Sequence, residues 1–180
     1  MKSSKPVKKE EWKIEIKGKF ILLVLLAAII NYAAYYLKFP NSYGVVLGIL
    51  FLILLFRNFK KLSGIEVIIY LFILNALTLP LTVFTLGANL ASKIIIFVFN
   101  IALINFVVSG LRSMKKWGFY LTLVSSVISI VMLFRNLLAY IPLLSKITLP
   151  LVVSSANTLV SFALLVCIFV YIIRAKRYFK

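Results

Sequence analysis

About six apolar runs follow one another along this chain, and each comes near the length that a helix needs to cross a lipid bilayer. A spanning helix needs about 20 apolar residues, because the hydrocarbon core is about 30 Å thick. Apolar residues make up 63% of the 180 residues and the mean hydropathy is +1.10, which is more apolar surface than a water-soluble fold of this size can bury. We therefore predict an all-α integral membrane protein, a compact bundle of about six transmembrane helices with short loops.

The charged residues lie between these runs in an alternating pattern. The net charge is +17, and every second connection is rich in Lys and Arg. Because cytoplasmic loops retain Lys and Arg during insertion, we expect a cell-membrane protein whose N- and C-termini are both cytoplasmic. Anionic lipid headgroups then supply the counter-charge, and we do not expect the chain to bind nucleic acid. The basic clusters are Arg57 with Lys60 and Lys61, Arg112 with Lys115 and Lys116, and Arg174 with Lys176, Arg177 and Lys180.

The basic clusters and the apolar runs divide the chain into three segments. A basic cytoplasmic N-terminal arm covers residues 1–19, the transmembrane domain covers 20–173, and a basic cytoplasmic tail covers 174–180. Turn residues such as Pro40 and interfacial rings such as Trp117 mark the ends of the runs. The predicted transmembrane helices cover 20–37, 43–56, 64–86, 93–111, 117–134 and 149–173.

Three features leave alternatives open. Residues 136–144 are apolar but follow Arg135 and contain Pro142, so they extend the fifth helix, lie on the outer surface or re-enter the membrane. Residues 12–17 alternate apolar and polar side chains with the period of a strand, which fits a strand paired with a partner or a basic arm lying on lipid. Two basic connections share the pattern R-x-x-K-K, which a duplicated hairpin or the insertion rule alone explains.

The residue types that most active sites use are scarce. The chain has no His, one Cys and four acidic residues, all of them Glu. This composition excludes imidazole bases and His-based metal sites, and one thiol cannot build an iron–sulfur cluster or a structural zinc site. Cys167 lies within the last apolar run, where a thiol behaves as a small hydrophobe. We predict that the chain is not an enzyme and uses no cofactor or metal.

Two charged residues lie at predicted membrane edges. Glu66 opens the third run near Lys60 and Lys61, where a solvated carboxylate at a helix N-terminus is electrostatically favourable. A proton-relay role is the alternative for Glu66. Arg135 lies near the opposite edge, where snorkelling to headgroups explains its position and binding of an anion is the alternative.

Neutral polar residues recur every three or four positions along the runs, so each set shares one helix face. Lipid offers an amide or hydroxyl no hydrogen-bond partner, and we expect these faces to point into the bundle, as interhelical hydrogen bonds or as the lining of a ligand cavity. The second run carries a G-x-x-x-G helix-packing motif at Gly44 and Gly48. The candidate interior residues are Asn31, Asn75, Thr78, Thr82, Asn105, Ser109, Ser125, Ser129, Ser154, Asn157 and Ser161.

Two functions of different kinds fit this sequence. In the first, the chain is a non-catalytic structural or accessory subunit of a larger membrane assembly, completed by other membrane subunits or by further copies of itself. In the second, it is a small carrier or substrate-capture subunit for a neutral or lipophilic solute. In size and predicted topology the chain resembles the substrate-binding components of energy-coupling-factor transporters, and that resemblance implies substrate capture. No loop motif accompanies the resemblance.

The predicted orientation can be tested with a membrane-impermeant thiol reagent on chains that carry Cys167→Ser. Because Lys60 and Lys115 lie in basic loops predicted to be cytoplasmic, cysteines placed there should resist reagent added outside intact cells. A cysteine in place of Asn89 should react. Permeabilised cells serve as the control, since all three positions should then be labelled. The opposite labelling pattern would reverse the orientation.

Overall fold

The structure is a computed structural model that describes residue 14 and residues 18–36, 42–59, 61–84, 87, 89–142 and 148–179. Six α-helices contain most of these residues, and the described ranges contain no strand, which confirms the prediction of an all-helical fold. A single 3-10 turn, Lys176–Tyr178, follows the last helix. The helices are α1 Gly18–Tyr36, α2 Ser42–Arg57, α3 Ser63–Phe84, α4 Leu90–Arg112, α5 Lys116–Tyr140 and α6 Leu149–Ala175.

Four helical stretches are long and apolar enough to cross a membrane by length and composition. In the most apolar window of each stretch, 17% to 39% of the residues are buried inside the chain, and large apolar side chains such as Ile95, Phe106 and Val131 are exposed. Outward-facing apolar surface is stable where lipid is the solvent, and the architecture is therefore compatible with a membrane location. The four stretches are Ser63–Leu81, Leu90–Arg112, Lys116–Tyr140 and Leu151–Tyr178, and two shorter apolar helices cover Phe20–Tyr36 and Gly44–Arg57.

Neighbours along the chain are not always neighbours in the bundle. α1 packs mainly on α3, α3 also packs on α4, α4 packs on α5 and α5 packs on α6. α2 packs on α6, far along the chain, and more lightly on α3 and α1. The last helix therefore packs both on α5, which precedes it along the chain, and on α2, near the start of the sequence.

The most deeply buried side chains lie at the end of the bundle that carries the basic connections. Leu55 near the end of α2, Ile65 at the start of α3, Leu111 at the end of α4 and Ile172 near the end of α6 are inaccessible to solvent. All four belong to one apolar cluster. This end of the bundle therefore contains the most closely packed side chains among the described residues.

One residue of the basic arm joins that cluster. The Ile14 N–H donates to the Arg112 carbonyl oxygen at 3.1 Å, and the Ile14 side chain is only 6% exposed. At this position the alternating segment contacts the chain's own bundle. Its other two apolar members, Trp12 and Ile16, lie outside the described residues.

Gly110 and Gly118 bring the backbones of α4 and α5 into contact. A Cβ added to Gly118 would overlap the carbonyl carbon of Gly110. α4 ends in a Schellman motif, in which the Lys115 N–H donates to the Gly110 carbonyl at 3.0 Å and the Met114 N–H donates to the Leu111 carbonyl at 3.1 Å. Met114 therefore adopts the left-handed conformation, with φ at 52°.

The G-x-x-x-G motif of α2 packs against α6. A Cβ on Gly44 would lie 2.8 Å from the Asn157 Oδ1 atom, and one on Gly48 would lie 2.5 Å from the Val160 Cγ1 atom. The absence of side chains at these two positions allows the helices to approach closely.

α5 continues past Arg135 and ends at Tyr140, and Ile141 and Pro142 follow in a 3-10 conformation. Residues 136–140 thus extend the fifth helix. Ile141 itself keeps right-handed helical geometry, with φ at −54° and ψ at −51°, and Pro142 has no N–H with which to continue the helical hydrogen bonds. Residues 143 and 144 lie outside the described part of the chain.

Gly118→Ala should destabilise the fold by about 1–3 kcal/mol, because the added methyl group meets backbone that cannot rotate away. Gly87→Ala is the matched control, since nothing lies within 4 Å of a Cβ at that position. The measurement is the thermal unfolding midpoint of the purified chain in mild detergent. Equal midpoints for the two variants would show that the α4–α5 contact adjusts freely.

Candidate functional site

A cavity of about 200 Å³ lies between α3, α4, α5 and α6. Apolar side chains from α3, α4 and α6 form much of its wall, α5 contributes only serines, and no charged residue lines it. The volume is sufficient for several water molecules or one small solute. Its polar lining consists of Asn75 from α3, Asn100 from α4, and Ser125, Ser126 and Ser129 from α5.

The α5 side of the cavity is a face of small hydroxyl residues. Thr122 and Ser126 are buried, at 0% and 2% exposure. Each bonds to its own helix: the Thr122 hydroxyl donates to the Gly118 carbonyl at 2.8 Å and the Ser126 hydroxyl to the Thr122 carbonyl at 2.7 Å. The Ser125 hydroxyl also donates to the Thr122 carbonyl, at 3.0 Å. Bonds within one helix satisfy these groups without a partner on another helix.

Three groups in the cavity keep hydrogen-bonding capacity. The Asn100 Nδ2 donates to the Ile96 carbonyl at 2.8 Å, which leaves its carbonyl oxygen as an acceptor. The Asn75 amide and the Ser129 hydroxyl have no side-chain hydrogen-bond partner among the described residues. Amides and hydroxyls both donate and accept, so the cavity can match a neutral polar solute or water.

The polar face predicted for the fourth run does not point into the bundle. Asn105 and Ser109 are exposed on the outside of α4, whereas Ile104 and Val107 are buried. Large apolar residues lie on both faces of α4, since Phe99 and Phe106 are exposed at 67% and 62%, so the apolar pattern of the run does not show which face packs inward. Asn100 precedes Ile104 by one helical turn and therefore shares the buried face. That spacing indicates Asn100 only once the inward face is known, and sequence reasoning missed Asn100 along with Ser126.

The remaining polar candidates on α1 and α3 bond to their own helices. The Asn31 Nδ2 lies 3.4 Å from the Ala27 carbonyl oxygen, and the Thr78 hydroxyl donates to the Leu74 carbonyl at 3.0 Å. Both residues are half-buried. The side chain of Thr82 lies outside the described part of the structure. Neither Asn31 nor Thr78 lines the cavity.

The α6 candidates face two different helices. Asn157 contacts α2 at Gly44, and the Ser154 hydroxyl lies 2.8 Å from the Tyr140 hydroxyl of α5. Ser161 is half-buried on the same helix. The structure therefore brings Asn75 of α3 together with Ser125 and Ser129 of α5 at one cavity, whereas the described candidates of α1, α4 and α6 lie elsewhere.

Tyrosines supply the long-range hydrogen bonds that the polar faces were expected to make. The Tyr32 hydroxyl of α1 donates to the Leu77 carbonyl of α3 at 3.1 Å. The Tyr171 hydroxyl of α6 donates to the Lys61 carbonyl, just before α3, at 2.6 Å. A buried ring with a polar tip provides both apolar contact area and a hydrogen bond, which a serine cannot.

The two charged candidates lie away from the cavity. Glu66 is half-buried in the first turn of α3, and Arg135 is exposed on α5. Within the described ranges, no group of three or more His, Cys, Asp or Glu residues could hold a metal ion.

No protein-family model, curated protein or solved structure matches this chain.

The Tyr140–Ser154 contact can be measured with a double-mutant cycle of Tyr140→Phe and Ser154→Ala. The coupling energy should be about 0.6 kcal/mol and no more than about 1.7 kcal/mol, the range of hydrogen bonds between membrane helices. The free energy of unfolding in detergent is the measurement. Ser155→Ala is the control partner, because the Ser155 hydroxyl bonds to its own helix at the Val152 carbonyl and should show no coupling. Zero coupling for Ser154 would contradict the assignment.

Proposed function

We propose that this chain is a non-catalytic, multi-pass protein of the cell membrane and a structural or accessory subunit of a larger membrane assembly. Its six helices cross the membrane, with both termini and the basic connections on the cytoplasmic side. The outward apolar surface of the long helices and the alternation of basic loops support this arrangement. α2 has 16 residues, which is short for a span, so the bilayer thins beside it.

The proposal that another subunit packs on this chain rests on the outer face of α4. Ala102, Asn105 and Ser109 are exposed there and are spaced by three and four residues, which places them in one stripe. Asn105 lies seven residues before Arg112, about 10 Å along the helix, and therefore within the hydrocarbon region. Lipid cannot bond to its amide, whereas a helix of another subunit can, and small neighbours allow that helix to approach. The partner is thus a membrane helix with a polar or small face.

The cavity favours a second candidate function, capture of a small neutral solute. Asn75, Asn100 and Ser129 present donors and acceptors inside a mostly apolar wall, which is typical of ligand sites. Capture does not require a protein partner on α4. Solute capture would use the face of α4 that carries Asn100, whereas a protein partner would use the face that carries Asn105.

Asn105→Leu and Asn100→Leu form a matched pair that distinguishes these functions, because each replaces one asparagine of α4 by leucine. If the chain is a subunit, Asn105→Leu should remain folded but lose a stoichiometric membrane partner, and Asn100→Leu should keep it. The measurement is native mass spectrometry of complexes purified in mild detergent. A wild-type chain that carries no second membrane chain, or an Asn105→Leu variant that retains one, would contradict the subunit proposal. Loss of a retained small molecule in Asn100→Leu alone would support capture.

A further inference from the structure

A second cavity, of about 390 Å³, lies at the basic end of the bundle, between the α2–α3 connection and the end of α6. It shares no lining residue with the polar cavity. Its volume falls within the range of small-molecule sites, about 300–1,000 Å³. Three cations and three aromatic rings line it: Lys61, Arg174, Arg177, Phe59, Tyr171 and Tyr178.

The floor of this basic cavity is held by Tyr171, which is only 2% exposed. Its hydroxyl donates to the Lys61 carbonyl, and its ring meets the Phe59 ring edge to face at 5.8 Å between centroids. Gly64 lies directly beneath the Tyr171 ring, because a Cβ there would overlap the ring carbons. Packing on two sides and a hydrogen bond at the tip fix the Tyr171 ring, and the Tyr171 ring in turn packs on Phe59.

Both arginines are stacked on aromatic faces. The Arg174 Cζ lies 5.0 Å from the centroid of the Phe59 ring. The Arg177 Cζ lies 4.9 Å from the centroid of the Tyr178 ring, and its Nη2 donates to the Tyr178 hydroxyl at 2.9 Å. An arginine over an aromatic ring is attracted electrostatically to the ring face. Each guanidinium has five N–H donors, and the described residues accept from only one of those of Arg177, so donors remain for a ligand.

The positive charge of this cavity is not neutralised within the described part of the chain. Lys61, Arg174 and Arg177 make no salt bridge with any described residue, and no carboxylate lines the cavity. Clustered like charges repel one another, so an anion that enters gains from all three. Among the described residues, the three cations therefore remain available to an anion.

We propose that this cavity binds a phosphate group, which accepts hydrogen bonds from the forks of Arg174 and Arg177 and from the ammonium of Lys61. Planar guanidinium groups match phosphate oxygens in pairs, which a single point charge cannot do. The phosphate belongs either to the headgroup of an anionic lipid or to a soluble ion or metabolite. The lipid source rests on the proposed membrane location, whereas the phosphate chemistry does not.

The test uses the full chain in mild detergent and two probes. Native mass spectrometry counts bound phosphatidic acid against phosphatidylcholine, and isothermal titration measures inorganic phosphate. The double variant Arg174→Gln with Arg177→Gln removes the two forks. Arg112→Gln with Lys116→Gln is the matched control, because it removes the same net charge from the other basic connection. Affinity for the bound probe should fall about tenfold or more in the first variant, equivalent to about 1.4 kcal/mol, and little in the control.

Preferential binding of phosphatidic acid would assign the site to a lipid headgroup, and binding of inorganic phosphate alone would assign it to a soluble ligand. Both results support a phosphate site. Equal losses in the two double variants, or no binding of either probe to the wild-type chain, would overturn it. If the Arg174 and Arg177 double variant does not melt as the wild type does, Arg177→Gln alone carries the test, since Arg177 is exposed in the final 3-10 turn. Loss of the α4 partner leaves these outcomes unchanged, so the two proposals fail independently.

Discussion

In an apolar surrounding, every polar group must find its partner within the protein, and much of this fold follows from that requirement. The helices satisfy the backbone, and the hydroxyls of Thr122, Ser125 and Ser126 bond to carbonyls of their own helix. Because these side chains need nothing from a neighbour, helix contacts can be made by close approach instead. Gly110 with Gly118, and the G-x-x-x-G motif against α6, are such contacts. The hydroxyl residues thus bond within their own helix, whereas the glycines allow neighbouring helices to approach closely.

The two ends of the bundle differ in a way that connects packing with charge. The basic connections lie beside the most deeply buried cluster, which contains Leu55, Ile65 and Ile172. Tyr171 belongs to that cluster and also forms the floor of the basic cavity. A rigid apolar base allows Arg174 to be held in a fixed orientation over Phe59. An anion site built on such a base pays less ordering entropy on binding than one made of free side chains.

α4 separates the two candidate functions in space. Asn100 faces the polar cavity, and Asn105, five residues later, faces outward. Five residues turn a helix by about 140° beyond a full rotation. The same helix can therefore present one amide to a solute and a second amide to a partner. The same helix receives Ile14 from the basic arm at its last turn, through the Arg112 carbonyl. Ile14 of the basic arm therefore contacts the same helix that carries Asn100 and Asn105.

The amino-acid sequence by itself determined the all-helical class, the six helices and the face-sharing sets of polar residues, because run length and helical period are local properties. It also indicated Asn75, Ser125 and Ser129, which line the polar cavity. Only the tertiary structure decided that α2 packs on α6, that α4 turns Asn100 inward and that Arg174 meets Phe59. These outcomes depend on packing between segments distant along the chain. Aliphatic faces that meet lipid, a partner or another helix of the same chain have the same composition, so no local pattern distinguishes them.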